Sequence, residues 1–130
     1  NILTMAVGAL GGISLLVGAV GIVTIMTISV TERTNEIGLL VALGARRRTI
    51  LNLFLSESII LAASGGVLGL LLGVGLAQII HLAVPTFPVH TPWSFAIGGL
   101  MMSAIIGLLA GVLPARNASR LDPIDALRAE

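Results

Sequence analysis

Between Thr31 and Arg48 the chain reads TERTNEIGLLVALGARRR, a polar island set between two long apolar runs. The island holds Arg33, Arg46, Arg47 and Arg48, four of the seven arginines, together with Glu32 and Glu36 of the six carboxylates. Inside it lies a compact apolar patch, Ile37 to Leu43. A connector that only joined two membrane helices would need neither that patch nor a helical pattern. Thr34 suits an N-cap, and Glu36 falls in the first turn, where negative charge complements the helix dipole. Gly44 is placed to end the helix just past its C-cap. A helix from about Asn35 to Leu43 then carries Ile37, Leu40 and Val41 on one face, with Leu39 and Leu43 beside it. One face suits lipid headgroups, and the remaining apolar surface predicts a protein partner.

Composition fixes the surroundings of this island. Of 130 residues, 56% are hydrophobic and 10% charged, and the mean hydropathy is +1.09. Too few polar residues exist to cover a soluble core. The length holds about three membrane spans and little else, so residues 1–130 read as one membrane domain. The chain has no Cys, which removes disulfides and thiolate metal sites. It also has no Lys, so it cannot form a nucleotide-binding P-loop, and no enzyme activity is expected of it. It opens at Asn1 directly in apolar sequence, without Met, basic leader or cleavage pattern. The expectation is a piece of a longer protein.

Three spans follow, at about 2–30, 59–83 and 93–113. Ile2 to Val30 has no charge and as a helix would reach about 43 Å, beyond a hydrocarbon core of about 30 Å. Thr49 to Val84 carries one charge, Glu57. Its first part, TILNLFLSES, is amphipathic and suits the interface. The third span ends at Leu113, and Pro114 opens a polar tail, 114–130. Arg116, Arg120 and Arg128 lie in that tail, whereas the connection Val84 to Pro92 has no Arg or Lys. The positive-inside bias therefore makes 31–48 and 114–130 cytoplasmic, with 84–92 and the N-terminus outside. Phe87 and Trp93 then fall at the outer interface, and three prolines stiffen the short connection.

Association of helices in lipid rests on close backbone approach. Gly65, Gly69, Gly73 and Ala77 step in fours along the second span, and Gly99, Ser103, Gly107 and Gly111 do so along the third. The two rows are expected to pack together. Gly8 with Gly12, and Ser14 with Gly18, form a weaker version in the first span, and Gly65–Gly66 suits a bend. Glu57 lies near the inner boundary, within reach of headgroups or of Arg46–Arg48. His81 and His90 lack further ligands at metal spacing. Ser64 and His81 would sit about 25 Å apart on one helix, too far to act as nucleophile and base. The residues suggest no catalytic site. In the tail, Asp122 reads as an N-cap, Pro123 as the first helical residue and Asp125 as an acidic first turn before Arg128.

Thr31-Glu32-Arg33-Thr34-Asn35-Glu36-Ile37-Gly38, then Ala42-Leu43-Gly44-Ala45-Arg46, resembles the cytoplasmic loop of MacB/FtsX-type ABC transporter permeases. So does the end, Pro114-Ala115-Arg116 followed by Asp122-Pro123 and Ala126-Leu127-Arg128. The likeness covers essentially the whole chain and is closer to the MacB-like branch than to the cell-division FtsX branch. Asn35 stands where the family usually has Arg or another polar residue.

The resemblance implies an all-α polytopic domain with three transmembrane helices, a cytoplasmic coupling helix and a short C-terminal helix. Such permeases have four membrane helices, with an extracytoplasmic domain between the first and second, so this chain would be the last three. The implied ATPase-coupling residues are Glu36, Ile37, Gly38, Leu39, Leu40, Ala42, Leu43, Gly44, Ala45 and Arg46. The implied partners are an ABC ATPase subunit or fused domain, a second permease as homodimer or heterodimer, membrane lipid and a periplasmic adaptor, with no nucleic acid. ATP and magnesium would bind the ATPase, and this chain would bind no cofactor. The implied location is the bacterial inner membrane, and the implied role is mechanical transmission of ATP-driven motion during export or efflux. Alternatives are a regulator of cell-wall hydrolases within the same family, or a non-ABC channel or assembly protein. The spans offer few polar residues to line an ion path.

Overall fold

The computed structural model describes residues 1–128, so Ala129 and Glu130 of the expected tail lie outside the described residues. Five helices follow one another: α1 (Ile2–Glu32), α2 (Thr34–Ala42), α3 (Arg47–Ala83), α4 (Trp93–Ser119) and α5 (Pro123–Arg128). Of these, α1, α3 and α4 are long and apolar enough to cross a membrane. One end of the bundle gathers Arg33, Arg46–Arg48, Arg116 and Arg120, and is called the charged end below; the α3–α4 connection marks the loop end.

Apolar helices form here because every backbone group can be satisfied within its own segment. The hydroxyls follow the same rule. Thr24, Thr27 and Thr31 donate to the carbonyls of Val20, Val23 and Thr27 at 2.8, 2.7 and 2.9 Å. Ser58 and Ser64 likewise donate to Leu55 and Leu61. Among the described residues, no buried side-chain polar atom is left without a partner.

The main structural pairing joins α3 to α4. Its contact row on α3 is Ser58, Ala62 and Gly66, which step in fours as α4 returns through Gly111, Gly107 and Ser103. A Cβ built on Gly66 would stand 2.7 Å from Ser103 Oγ, and one on Gly107 would stand 3.0 Å from the Ser58 carbonyl. Ser103 Oγ donates to the Ala62 carbonyl at 2.7 Å, an interhelical hydrogen bond. The expected partner row on α3, Gly65, Gly69 and Gly73, is therefore replaced by the small residues one position away. Gly65, Gly69, Gly73 and Gly99 have nothing within 4 Å of a built Cβ in this chain. The Gly65–Gly66 pair, expected to mark a bend, lies inside uninterrupted helix.

Two helices run past the expected span limits. The amphipathic stretch 49–58, expected at the interface, is continuous with the expected span and forms the first third of α3. At 37 residues, α3 is about 55 Å long, well beyond a hydrocarbon core of about 30 Å. The reason lies in its apolar stripe. Ile50 and Phe54, each 1% exposed, continue the line of Ser58 and Ala62 and are buried by protein rather than lipid. Helix α4 likewise runs through Pro114 to Ser119. Proline forfeits one helical N–H, yet the turn beyond it holds because Ala115 and Ala118 are fully buried against the other helix bases.

The bundle closes at the charged end and opens toward the loop end. Met26, Val30, Ile37, Ile50, Phe54, Ala115 and Ala118 form one cluster drawn from α1, α2, α3 and α4. Along α1, by contrast, the residues before Ala19 are all exposed. Between α1, α3 and α4 a cleft of about 550 Å³ is lined by Gly11, Gly18, Gly65, Gly99 and Phe95 among others. At the loop end, His81 Nδ1 donates to the Phe87 carbonyl at 3.1 Å, tying the connection to the end of α3. Phe87 and Trp93 are exposed there.

Two substitutions test this packing in the purified protein. Gly107→Val puts side-chain atoms into Ala62 and the Ser58 carbonyl, and should destabilise by about 1–3 kcal/mol, whereas Gly69→Val should leave the thermal midpoint of the protomer near wild type. Phe54→Ala empties the cluster and should cost about 3–5 kcal/mol in denaturant titration. A Gly107→Val midpoint equal to that of Gly69→Val would refute the observed α3–α4 register.

Candidate docking surface at the charged end

The candidate site is built where α1 turns into α2. Arg33 is the single residue between them, with φ −98° and ψ 14°. Its N–H bonds to the Ser29 carbonyl at 3.1 Å, and its own carbonyl accepts from Ile37 at 2.9 Å. Arg33 thus closes one helix and opens the next. It occupies the N-cap position expected for Thr34, which is instead the first residue of α2. The Thr34 hydroxyl donates back to Thr31 at 2.8 Å and Val30 at 3.1 Å, so it serves the end of α1. Helix α2 has no side-chain cap and relies on Glu36 in its first turn and on tertiary packing.

Its C-terminus is closed by backbone geometry. Gly44 has φ 100°, a left-handed conformation that favours glycine. The Gly44 N–H reaches the Val41 carbonyl at 3.1 Å and the Ala45 N–H reaches Leu40 at 2.9 Å. This pair of bonds is the Schellman arrangement. Arg46 follows in extended conformation and its carbonyl starts α3.

The two faces of α2 have different fates. Ile37, 2% exposed, and Gly38 are buried, and Val41 packs against the cluster. Leu39, Leu40 and Leu43 point outward at 53%, 42% and 77% exposure. Leu40, expected beside Ile37, is on the outer face instead. The cluster lies under Ile37, Gly38 and Val41, so the residues between them in sequence turn away. Glu36, Ala42, Arg46, Arg47 and Arg48 are also exposed, and Ala45 is half-buried. The resulting surface is a short apolar ridge followed by three arginines. Leu39 and Leu40 lie on α2 and Leu43 is its C-cap residue, so the ridge runs off the end of the helix toward the arginines.

Helix α5 packs against α2. Asp122 Oδ1 accepts the Ile124 N–H at 2.9 Å, which makes Asp122 the N-cap with Pro123 at the first helical position. Leu121 packs on the cluster, whereas Ile124 and Leu127 are exposed beside α2. Glu57 finds a partner other than the expected Arg46–Arg48. Its Oε2 lies 3.3 Å from Arg33 Nη1, with both side chains partly exposed. The long α3 helix carries Arg46–Arg48 away from Glu57, and the α1–α2 corner brings Arg33 to it. Sequence reading missed this pair, the Ser58–Ala62–Gly66 row and the burial of Ala115 and Ala118. The first row was visible as small residues in fours, but glycine content pointed to its neighbour.

Comparison with known proteins places this arrangement. The FtsX-like permease C-terminal family matches residues 8–123. An uncharacterized ABC transporter permease, YknZ of Bacillus subtilis, is 46% identical over 129 residues, covering 99% of this chain and 32% of that protein. The macrolide export ATP-binding/permease protein MacB of Wolinella succinogenes is 46% identical over 131 residues, covering 100% of this chain and 20% of that protein. MacB of Bdellovibrio bacteriovorus is 48% identical over 128 residues, covering 98% of this chain and 20% of that one. The chain thus spans between a fifth and a third of the length of these relatives. With its three membrane-length helices and its charged-end helix in the matched region, this chain belongs to the FtsX-like permease C-terminal family, on the side of the ABC transporter permeases that includes MacB.

Proposed function

We propose that this chain is the membrane part of an ABC export permease that relays motion from an ATPase at the charged end to an extracytoplasmic domain beyond the loop end. The observation that carries this reading is the division of α2: Leu39, Leu40 and Leu43 face outward, while Ile37 is buried in a cluster made from the bases of α1, α3 and α4. A load applied to the leucine ridge therefore reaches all three long helices at once. Because packed interiors deform little, displacement of α2 is passed on as movement of helices rather than absorbed locally.

In this reading the charged end is cytoplasmic, following the arginine distribution, and the membrane is the bacterial inner membrane. The ATPase, separate or fused, holds ATP and magnesium, and a groove on it receives α2 from about Ile37 to Ala45. The permease works as a dimer in which α1 contributes to the contact, since most of its length is uncovered in the single chain. Export as the direction of transport follows the names of the MacB relatives.

Replacing Leu39, Leu40 and Leu43 together by Asp in the full-length protein should abolish co-purification of the ATPase while membrane insertion is retained. Undiminished association would show that α2 is not the docking element. Single cysteines test sidedness: Leu43→Cys should react with a membrane-impermeant maleimide only after the inner face is exposed, and Val89→Cys should react from outside in intact cells. The opposite labelling pattern would reverse the topology.

A further inference from the structure

Helix α1 meets α4 more than α3, its buried residues Met26 and Val30 lie near its base, and its residues before Ala19 are uncovered. Its one charged link to α3 is Arg33 Nη1 to Glu57 Oε2 at 3.3 Å, the one ion pair among the described residues. The place of that link matters. Arg33 belongs to both α1 and α2 through its backbone hydrogen bonds, so its side chain fixes the corner itself rather than either helix. Glu57 is the residue before Ser58, which sits against Gly111 of α4, so it follows the position of the α3–α4 hairpin. Side-chain exposures of 46% and 38% leave the pair in contact with solvent, and such pairs add little to overall stability. A weak, solvent-reachable ion pair at a one-residue corner is suited to setting a direction of movement.

We infer that Arg33 and Glu57 are positioning residues that hold the α1–α2 corner on α3, so that displacement of α2 swings α1 relative to the α3–α4 hairpin. Without this ion pair α2 still docks and still presses on the cluster, but the corner pivots on α3 and α1 makes no defined swing at the loop end. This inference rests on the relay function proposed above. The cleft between α1, α3 and α4 gives α1 room to move at the loop end.

The test uses the full-length permease with its ATPase in lipid nanodiscs, spin-labelled through Met5→Cys on α1 and Leu82→Cys on α3, both exposed near the loop end. Electron–electron distance distributions are recorded without nucleotide and with ATP. The parent should shift its distance on ATP binding. Arg33→Glu alone and Glu57→Arg alone should lose the shift while the ATPase still co-purifies, and the double exchange Arg33→Glu/Glu57→Arg should restore it. The neutral pair Arg33→Gln/Glu57→Gln leaves no unpaired charge, and it too should lose the shift. A full shift in the neutral pair, or no recovery in the exchanged pair, would overturn the inference while leaving the relay intact. Absence of any shift in the parent would overturn the relay reading, and this inference with it.

Discussion

Burial of Ile37 among side chains from three membrane-length helices is the interaction on which the charged end depends. Ile37 comes from a nine-residue helix without a side-chain cap, too short to persist in water by itself. Its neighbours in the cluster include Met26 and Val30 of α1, Ile50 and Phe54 of α3, and Ala115 and Ala118 of α4. The small alanines let the base of α4 come close, and Phe54 and Met26 fill the space between. Once Ile37 is seated, one face of α2 is committed, and Leu39, Leu40 and Leu43 have no direction left but outward. The exposed leucine ridge is thus a consequence of core packing.

The same molecule is far looser at the other end. Small residues bring α3 and α4 together along Ser58, Ala62 and Gly66, with one interhelical hydrogen bond from Ser103. Helix α1 shares the packed cluster at its base and departs from the bundle above it, leaving a cleft bordered by Gly11, Gly18, Gly65 and Gly99. A tight base and an open top give a lever-like distribution of stiffness. In the relay proposed above, such a distribution would turn small displacements at the charged end into larger ones at the loop end.

Much of this was legible in the amino-acid sequence, for physical reasons that also explain the exceptions. The three membrane-length helices followed from hydropathy, because a bilayer core sets a minimum apolar length. Gly44 and Asp122–Pro123 were legible because left-handed backbone and helix starts select particular residues, and the structure places both as the residues imply. Thr34 was misplaced by one position because its hydroxyl has a rival acceptor in the preceding turn. The row on α3 was misassigned because two small-residue rows lie side by side, and choice between them is made by the partner helix. The partner of Glu57 and the continuation of α4 past Pro114 depend on contacts between distant segments, which local pattern does not encode. The segment 49–58 illustrates the same limit: its amphipathic face fits either a membrane surface or a protein neighbour, and Ala115 and Ala118 supply the latter.

Whether α2 has one face locked into the bundle and the other given to an ATPase is best decided by a crosslinking scan with single cysteine substitutions from Glu36 to Ala45. The stretch has no native Cys, so each substitution in the full-length protein reports on its own position when paired with a cysteine on the co-expressed ATPase. Crosslinks are expected at positions 39, 40 and 43, with none at 37 or 41, and their yield should change when ATP binds. Crosslinks spread evenly over both faces, or none at any position in a protein that inserts normally, would refute the two-faced docking helix.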